Sequence, residues 1–301
     1  MEKKPQLESE GALLDAVLDE LQREHAVKEI AGWDTGFANL SRALDGIQPG
    51  FYLLIGAPAI GKTSFAKQLL DQVAIHNRVT GMFFSFAETR KALRIKTLAR
   101  LSGLDQREIR RGSAYLLHWY GVPRLASSET SDLPPSWDKL KRNAEEAKSW
   151  LDLIYLIECP RNTTLYKIEA QIAENRSRAG SEQMMIVLDD CQRLGDSSQS
   201  LSARLPIIAE QLQETAIKLN VALLAVWPNL EASGAVATQA WSERVASPDI
   251  VLVMESDLER SKKLIEPNRG ITLHIVKNRG GERGSLAYDF FPALAKCAEA
   301  Q

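Results

Sequence analysis

The sequence predicts an α/β fold in which a mostly parallel sheet carries helices on both faces. After residue 50, short and nearly continuous apolar runs alternate with segments of helical periodicity, a pattern typical of parallel strands that are buried on both faces. Hydrophobic residues make up 45% of the 301 residues and charged residues 25%, a balance that supplies a substantial core. The last two apolar runs follow each other without a long helix, so we expect an antiparallel edge.

The expected elements follow one another in a regular order. Strands are expected at residues 51–55, 81–86, 151–157, 185–188, 221–227, 250–254, 271–276 and 286–290. Helices are expected at residues 62–75, 92–101, 165–177 and 205–219. Residues 113–135, with several serines and a Pro-Pro pair, are expected to form a surface insertion.

The first 30 residues differ from the rest of the chain. Residues 1–9 are polar, and residues 13–21 place apolar side chains along one stripe of a helix. This stripe either folds back on its own domain or docks on another subunit. Residues 29–50 are expected to form a connector, because glycines and a Pro-Gly turn interrupt them. We therefore divide the chain into a tail with an amphipathic helix, residues 1–30, and one α/β domain, residues 31–301.

Charge, cysteines and hydropathy exclude several classes of protein. A formal net charge of -2 excludes a uniformly basic surface for nucleic acid, although it is compatible with local patches. The 3 cysteines are widely spaced and form no CxxC pair, so we interpret them as reduced, buried thiols. No apolar run approaches the roughly 18 residues that span a bilayer, and no signal-peptide core follows Met1. We expect a cytoplasmic protein with no membrane partner.

One segment fits the phosphate-binding pattern GxxxxGK[ST] without deviation. It follows the first expected strand and opens a helix, which is the context that this pattern requires. Its glycines let backbone N–H groups point at phosphate oxygens, and the helix N-terminus adds a positive dipole end. The Lys62 ammonium is expected to reach the β- and γ-phosphates, and the Thr63 hydroxyl to bind Mg²⁺. We expect ATP and Mg²⁺ as ligands. The expected contacts to ATP are Gly56, Ala57, Pro58, Ala59, Ile60, Gly61, Lys62, Thr63 and Ser64.

Acidic residues at the ends of two other strands add to the expected site. Asp189 is the first acid after the fourth expected strand, so it is the candidate to hold Mg²⁺ together with Thr63. Asp190 is either a further acid of the metal site or a cap residue. Gln192 either senses the γ-phosphate or lies on the surface. Glu88 follows the second expected strand, and it either orients the attacking water or begins the next helix.

From about Thr35 to the C-terminus, the chain resembles the RecA-like motor domain of DnaB-family replicative helicases, with kinship to KaiC-like ATPases. The resemblance implies a RecA-like P-loop fold and a ring, usually a hexamer, with ATP held between subunits. It assigns Asp189 to the Walker B acid and Gln192 to the glutamine of the following motif. Lys277 and Arg279 match the lysine and arginine finger that this family inserts into the neighbour's ATP site. The segments that carry the resemblance are residues 35–40, 44–50, 56–63, 84–86, 101–106, 187–192, 219–221 and 277–281.

Three departures weaken the helicase interpretation. Ala87 stands where these helicases carry their catalytic Glu, whereas KaiC-like proteins often carry two consecutive acids, of which Glu88 would match the second. Trp227-Pro228 stands where the helicases place Ser-Gln, so we expect loss of a polar γ-phosphate contact. Only about 30 residues precede the motor, so we expect the primase-binding N-terminal domain to be missing. The helix at 13–21 resembles, at most, the linker helix that such helicases dock on the adjacent subunit.

Signals for DNA binding are weak. The loops that the resemblance assigns to a central DNA channel, about residues 195–204 and 231–247, contain Arg204, Arg244 and one aromatic residue, Trp241, whereas single-strand grooves contain several cations and stacking rings. A separate basic segment is either a solvated helix face or a surface for nucleic acid or an acidic partner. Its cations are Arg90, Lys91, Arg94, Lys96, Arg100, Arg107, Arg110 and Arg111.

Two functions are compatible with these patterns. The first is an ATP-hydrolysing, DnaB-like motor that acts on or near single-stranded DNA in replication, recombination, mobile elements or defence. The alternative is a non-motor protein in which ATP binding controls oligomerisation and partner recruitment, with weak or no hydrolysis. Both predict a homo-oligomer, and both leave the ring size and the identity of a protein partner open.

Overall fold

The computed structural model describes residues 30–111, 135–160, 163–180, 182–194, 201–228 and 247–300, with single positions of the N-terminal segment. Within these ranges, nine strands form one sheet. They are β1 Gly50–Gly56, β2 Thr80–Ser85, β3 Ile154–Glu158, β4 Met184–Asp189, β5 Ala222–Pro228, β6 Ile250–Asp257, β7 Arg269–Asn278, β8 Gly284–Phe291 and β9 Lys296–Glu299. The expected insertion at 113–135 lies, apart from its last residue, outside the described residues.

The sheet has the order β3-β2-β4-β5-β1-β6-β7-β8-β9. All neighbours from β3 to β6 pair in parallel. The strands from β6 to β9 pair antiparallel. The predicted α/β fold with an antiparallel edge is therefore confirmed. The sequence does not predict β9, because its four residues are too few to show a periodic pattern.

The described helices lie mainly between the parallel strands. They are α1 Ala38–Leu44, α2 Lys62–Asn77, α3 Arg90–Ser102, α4 Gln106–Arg111, α5 Pro135–Leu151, α6 Leu165–Ala179, α7 Leu201–Leu219 and α8 Leu258–Ser261. The four expected helices are confirmed as α2, α3, α6 and α7. The strand expected at 151–157 begins later, at Ile154, because α5 continues through Leu151. Among the described helices, none combines the length and the apolarity needed to cross a membrane.

The interpretation of residues 29–50 as a connector is wrong. The segment contains α1 and an antiparallel bridge between Trp33 and Ile47. Both bridge residues and Leu40 of α1 are buried. Their apolar side chains pack into the core of the domain, so the glycines mark turns around a folded unit. The division of the chain at residue 30 stays a prediction.

The core consists of two layers, one on each face of the sheet. Along β1, Tyr52 and Leu54 belong to the layer that contains α1 and α2. Phe51, Leu53 and Ile55 belong to the layer that contains α6 and α7. Successive residues of a strand point to opposite faces, which explains why β1 is apolar at every position between its terminal glycines.

All three cysteines are free thiols. Cys191 and Cys297 are buried as expected, whereas Cys159 is only partly buried. Burial raises the pKa of Cys297 to about 12 and that of Cys159 to about 11. Because the thiolate is the reactive form, these residues are chemically inert near neutral pH.

The N-terminal helix keeps part of its apolar stripe exposed. Leu14, Val17 and Leu18 are helical and are 55%, 46% and 53% exposed. Residues 13 and 21 of the same stripe are not both described, so the stripe is considered only at these three positions. There, the chain's own domain does not cover it.

Candidate functional site

The phosphate-binding segment forms the turn between β1 and α2, at the carboxyl edge of the parallel strands. Strand β1 ends at Gly56 and α2 begins at Lys62. Gly61 precedes the helix with a φ of 119°, which favours glycine, and a Cβ there would lie 3.1 Å from the Phe290 ring. The side chain of Ile60 is buried in the core. It anchors the turn, so only its backbone is left for contact with phosphate.

The Lys62 ammonium lies across the turn. Its Nζ donates to the carbonyl oxygens of Gly56, at 2.7 Å, and Ala57, at 2.8 Å. Burial lowers the pKa of Lys62, and the carboxylates of Asp190 and Asp189 partly offset this effect. The cation and the two acids at the end of β4 therefore share one electrostatic environment.

Asp189 is the last residue of β4 and is 2% exposed. Burial raises its pKa to about 6, a hydrogen bond with Thr63 opposes the shift, and the charges of Asp190 and Glu88 add to it. The Oδ2 atom is buried and has no hydrogen-bond partner among the described residues. An unpartnered carboxylate oxygen beside a hydroxyl matches the hard oxygen donors that Mg²⁺ prefers. The residues present therefore fit a Mg²⁺ ion.

Glu88 lies between β2 and α3, outside the helix. Its backbone N–H donates to Ser85 Oγ at 2.9 Å, and its carboxylate Oε1 is 3.1 Å from Lys96 Nζ. The Oε2 atom is buried without a hydrogen-bond partner among the described residues. Thr89 is the N-cap of α3 and accepts from Ala92 N at 3.2 Å. Glu88 therefore does not begin the helix, contrary to one of the two expectations.

Asp190 and Gln192 form a small capping unit. Asp190 is the N-cap of the short helix Cys191–Arg193, and its carboxylate accepts from the backbone N–H of Gln192 at 3.4 Å. The Gln192 side-chain amide donates to the same carboxylate. Of the two expectations for Asp190, the structure shows the cap, and the Gln192 side chain points to Asp190.

Lys277 and Arg279 lie far from the phosphate-binding turn of their own chain. Lys277 pairs with Val251 near the amino end of β6, and Arg279 N donates to Asp249 O at 3.0 Å. Asp249 N in turn donates to Phe51 O. Arg279 is thus level with the start of β1, about 17 Å along the strand from its carboxyl end at a rise of roughly 3.3 Å per residue. One chain does not bring these cations to its own site.

A cavity of about 270 Å³ opens beside the phosphate-binding turn. Its lining includes five expected residues of the turn, together with Glu88. Two further charged groups, Lys96 and Arg269, were not predicted as site residues. The lining residues are Ala59, Gly61, Lys62, Thr63, Ser64, Glu88, Lys96, Gln106, Arg269, Phe290 and Pro292.

Arg269 and Phe290 form a flat wall of this cavity. They are paired residues of β7 and β8, and the guanidinium carbon lies 5.1 Å from the ring centroid. Arg269 Nη2 donates to Ala59 O at 2.6 Å. A guanidinium stacked on an aromatic ring is a surface on which a nucleobase stacks well. The sequence contains no signal for this pair, because it depends on the register of two distant strands.

Trp227 ends the apolar run of β5, and Ile55 of β1 is its neighbour in the sheet. It is completely buried in the core layer with α6 and α7. Its Nε1 has no hydrogen-bond partner among the described residues. A buried indole replaces the polar contact that the helicase pattern places here.

The basic segment is partly neutralised. Arg90 pairs with Glu158, Lys96 with Glu88, Arg100 with Asp71, and Arg107 with Asp105. The side chains of Lys91, Arg94, Arg110 and Arg111 are exposed. This pattern favours a solvated helix face. Of the loops assigned to a DNA channel, Arg204 is described and donates to Leu194 O at 3.3 Å, whereas Trp241 and Arg244 lie outside the described residues.

Residues 32–299 match the family model of the DnaB-like helicase C terminal domain. The chain belongs to this family. The replicative DNA helicase DnaB of Treponema pallidum (strain Nichols) is 23% identical over 279 residues, which are 87% of this chain and 55% of that protein. DnaB of Pasteurella multocida (strain Pm70) is 30% identical over 105 residues, 34% of this chain and 22% of that protein. The chain thus spans between a fifth and about half of these relatives.

Solved structures share the fold of this DnaB-like domain. One of them, an isolated ATPase domain, superposes with a TM-score of 0.77 at 17% identity, covering 97% of this chain and 100% of that one. A DnaB-like replicative helicase, described with its interactions with primase, gives a TM-score of 0.76 at 17% identity and covers 98% and 69% of the two chains. The RecA-like architecture implied by the resemblance is therefore confirmed.

Proposed function

We propose that the chain is the ATP-binding and ATP-hydrolysing domain of a DnaB-like motor that acts in the cytoplasm on or near single-stranded DNA. One observation carries the proposal: the phosphate-binding turn, the buried carboxylate of Asp189 and the carboxylate of Glu88 converge at one cavity. A cation, a metal-holding acid and a base at the carboxyl edge of a parallel sheet are the parts that phosphoryl transfer to water requires.

Each group has a distinct proposed role. Backbone N–H groups of residues 56–64 and the Lys62 ammonium bind the β- and γ-phosphates, for which Lys62 leaves the two carbonyls it now contacts. Mg²⁺, held by Thr63 and Asp189, would neutralise charge on the phosphates. Glu88 orients the attacking water through Oε2, since Oε1 pairs with Lys96. Gln192 stays a candidate γ-phosphate sensor, which requires its side chain to leave Asp190.

The wall formed by Arg269 and Phe290 is proposed to stack the adenine base. Because Arg269 also donates to Ala59 O in the phosphate-binding turn, base binding and phosphate binding share one support. The cavity would then hold the whole nucleotide on one chain, apart from the cations that contact the γ-phosphate from outside.

Those outside cations are proposed to come from a second copy of the chain. Arg279 and Lys277 are level with the opposite end of β1 and cannot reach their own cavity. A head-to-tail ring, with six subunits as the family resemblance implies, presents them to the neighbour's cavity. The exposed stripe with Leu14, Val17 and Leu18 offers a second contact between subunits.

The alternative function keeps its own support. Ala87 is exposed where the helicase pattern has its catalytic Glu, and Trp227 is buried where it has a polar contact. A protein with these features would bind ATP tightly and hydrolyse it slowly. In this alternative, ATP binding controls assembly and the recruitment of a protein partner.

Steady-state ATP turnover with and without single-stranded DNA separates the two functions. The motor predicts Mg²⁺-dependent turnover that DNA stimulates, while the assembly protein predicts tight ATP binding, negligible turnover and nucleotide-dependent oligomerisation. Lys62→Ala is the control, because it removes the phosphate-facing cation. If Lys62→Ala binds a fluorescent ATP analogue as tightly as the unsubstituted protein, the nucleotide site is assigned wrongly under both functions.

A further inference from the structure

The Arg279 side chain is tethered at one end only. Its Nη1 lies 2.8 Å from Oδ1 of Asp249, and its backbone N–H donates to the Asp249 carbonyl at 3.0 Å. The side chain is nevertheless 61% exposed. A guanidinium has five N–H donors, so most of them face outward, where a second subunit would present its nucleotide.

Asp249 is in turn fixed to the first strand of the sheet. Its backbone N–H donates to Phe51 O at 2.8 Å, and its Oδ2 accepts from Phe51 N at 2.9 Å. A Cβ at residue 50 would lie 3.0 Å from the same Oδ2, so Gly50 leaves room for the carboxylate. Asp249 thus has both its backbone and its side chain bonded to β1.

The surroundings of Asp249 are positively charged. Burial lowers the pKa of Lys277, the neighbouring cations Arg279 and Arg283 lower it further, and Asp249 raises it. Three cations that close together repel one another. The Asp249 carboxylate is the group that opposes this repulsion next to Arg279.

We infer that Asp249 is a positioning residue for the arginine finger: it holds the Arg279 guanidinium on β1 in the orientation that a neighbouring subunit's γ-phosphate requires. The inference rests on the proposed function, in which Arg279 completes the neighbour's site. Nothing in the sequence pattern singles out Asp249, since it precedes an apolar strand as many turn residues do. Its role follows from the bonds to Arg279 and Phe51.

Asp249→Asn is the variant that tests this role. The amide oxygen can still accept from Phe51 N, but the charge that holds Arg279 is gone. We expect kcat to fall by about 10- to 100-fold, since a misplacement of about 1 Å costs on the order of 10² in rate. ATP affinity, set by the intact turn of the same chain, should not change. Glu282→Gln, which removes an exposed negative charge from the same turn without touching the ion pair, should keep full activity.

Subunit mixing then decides where Asp249 acts. If it acts through the finger, Asp249→Asn mixed with Lys62→Ala should regain activity, because the second subunit supplies an intact finger to the first. Asp249→Asn mixed with Arg279→Ala should regain none, because both carry a damaged finger. The reverse pattern would overturn the inference, because it would place the defect in the variant's own nucleotide cavity.

Two further measurements keep the outcomes distinct. Lys62→Ala mixed with Arg279→Ala reports on the shared site itself, so failure of that pair tests the proposed function and not Asp249. Asp249→Glu, which keeps the charge but shifts it by one methylene, is assayed in the same mixtures and should lose less activity than Asp249→Asn. Equal turnover of Asp249→Asn and the unsubstituted protein would also overturn the inference.

Discussion

At the scale of single residues, Asp189 exchanges stability for metal binding. Its pKa of about 6 exceeds the ordinary value, so the folded chain binds this proton more tightly than the unfolded chain does. The contribution to stability is therefore largest below about pH 4 and is lost as the pH rises through 6. At pH 8 without nucleotide, the buried charge costs roughly 3 kcal/mol, at 1.36 kcal/mol per pKa unit.

Asp189→Asn should therefore stabilise the nucleotide-free protein and inactivate it. We expect a higher Tm than for the unsubstituted protein at pH 8, a smaller difference near pH 4.5, and no Mg²⁺-dependent turnover. Thermal unfolding at both pH values, with ATPase assays, measures these effects. Asp152→Asn changes an exposed acid and should show neither effect. Undiminished turnover in Asp189→Asn would exclude Asp189 as the metal-binding acid.

Glu88→Gln tests whether the late position of the acid supports hydrolysis. If Glu88 orients water, turnover should fall by roughly 10²–10⁴-fold, the usual size of a general-base contribution, while ATP still binds. Single-turnover hydrolysis and nucleotide titration separate the two quantities. A loss limited to about 0.3–1 kcal/mol of stability would contradict the role, and Ala87→Glu would then be expected to raise turnover.

At the scale of elements, the first helix depends on the last strand. Phe37, the N-cap residue of α1, makes no side-chain cap bond, and Glu299 Oε1 of β9 accepts from Asn39 N at 2.8 Å and Leu40 N at 3.2 Å instead. A carboxylate at a helix N-terminus satisfies unpaired donors and complements the helix dipole. The two ends of the domain are joined at this point.

Glu299→Ala should destabilise the domain by about 1 kcal/mol, the typical value of an N-cap bond, or a decrease of about 2–4 °C in Tm. Glu299→Gln keeps an oxygen acceptor and should lose less. Glu259→Ala removes an exposed partner of Lys262 and should change Tm hardly at all. A Glu299→Ala protein as stable as the Glu259→Ala control would show that the contact does not support α1.

Periodicity predicts the elements that alternate along the chain but not those that depend on distant partners. Strands such as β1 and β4 are apolar throughout most of their length, so their burial is visible in the sequence. Helix α1 and strand β9 are short, and each is stabilised by the other's side of the domain. Local sequence contains no signal for such contacts.

The candidate site divides in the same way. The phosphate-binding turn and Asp189 are found by pattern, because their chemistry requires fixed residue types next to one strand. Arg269, Phe290 and Lys96 reach the cavity from elements far apart in the chain, so only the folded sheet reveals them. Asp249 is found only through the bonds it makes.

At the scale of the whole molecule, the fold separates the two halves of the proposed catalytic apparatus. The nucleotide cavity lies at the carboxyl edge of the parallel strands, and Arg279 lies level with the amino end of β1. A single subunit cannot close that distance without rebuilding the sheet. Assembly is therefore the step that would complete the site, which makes activity depend on protein concentration.

Turnover in mixtures of Lys62→Ala and Arg279→Ala subunits tests this claim most directly. Each variant alone should be inactive, because an arginine finger contributes about 10³–10⁵ in rate. In a random equal mixture, about one quarter of the head-to-tail interfaces pair an intact cavity with an intact finger. Activity should therefore return to roughly that fraction and should decline on either side of the equal ratio. No recovery, in mixed oligomers verified by mass, would contradict a site shared between subunits.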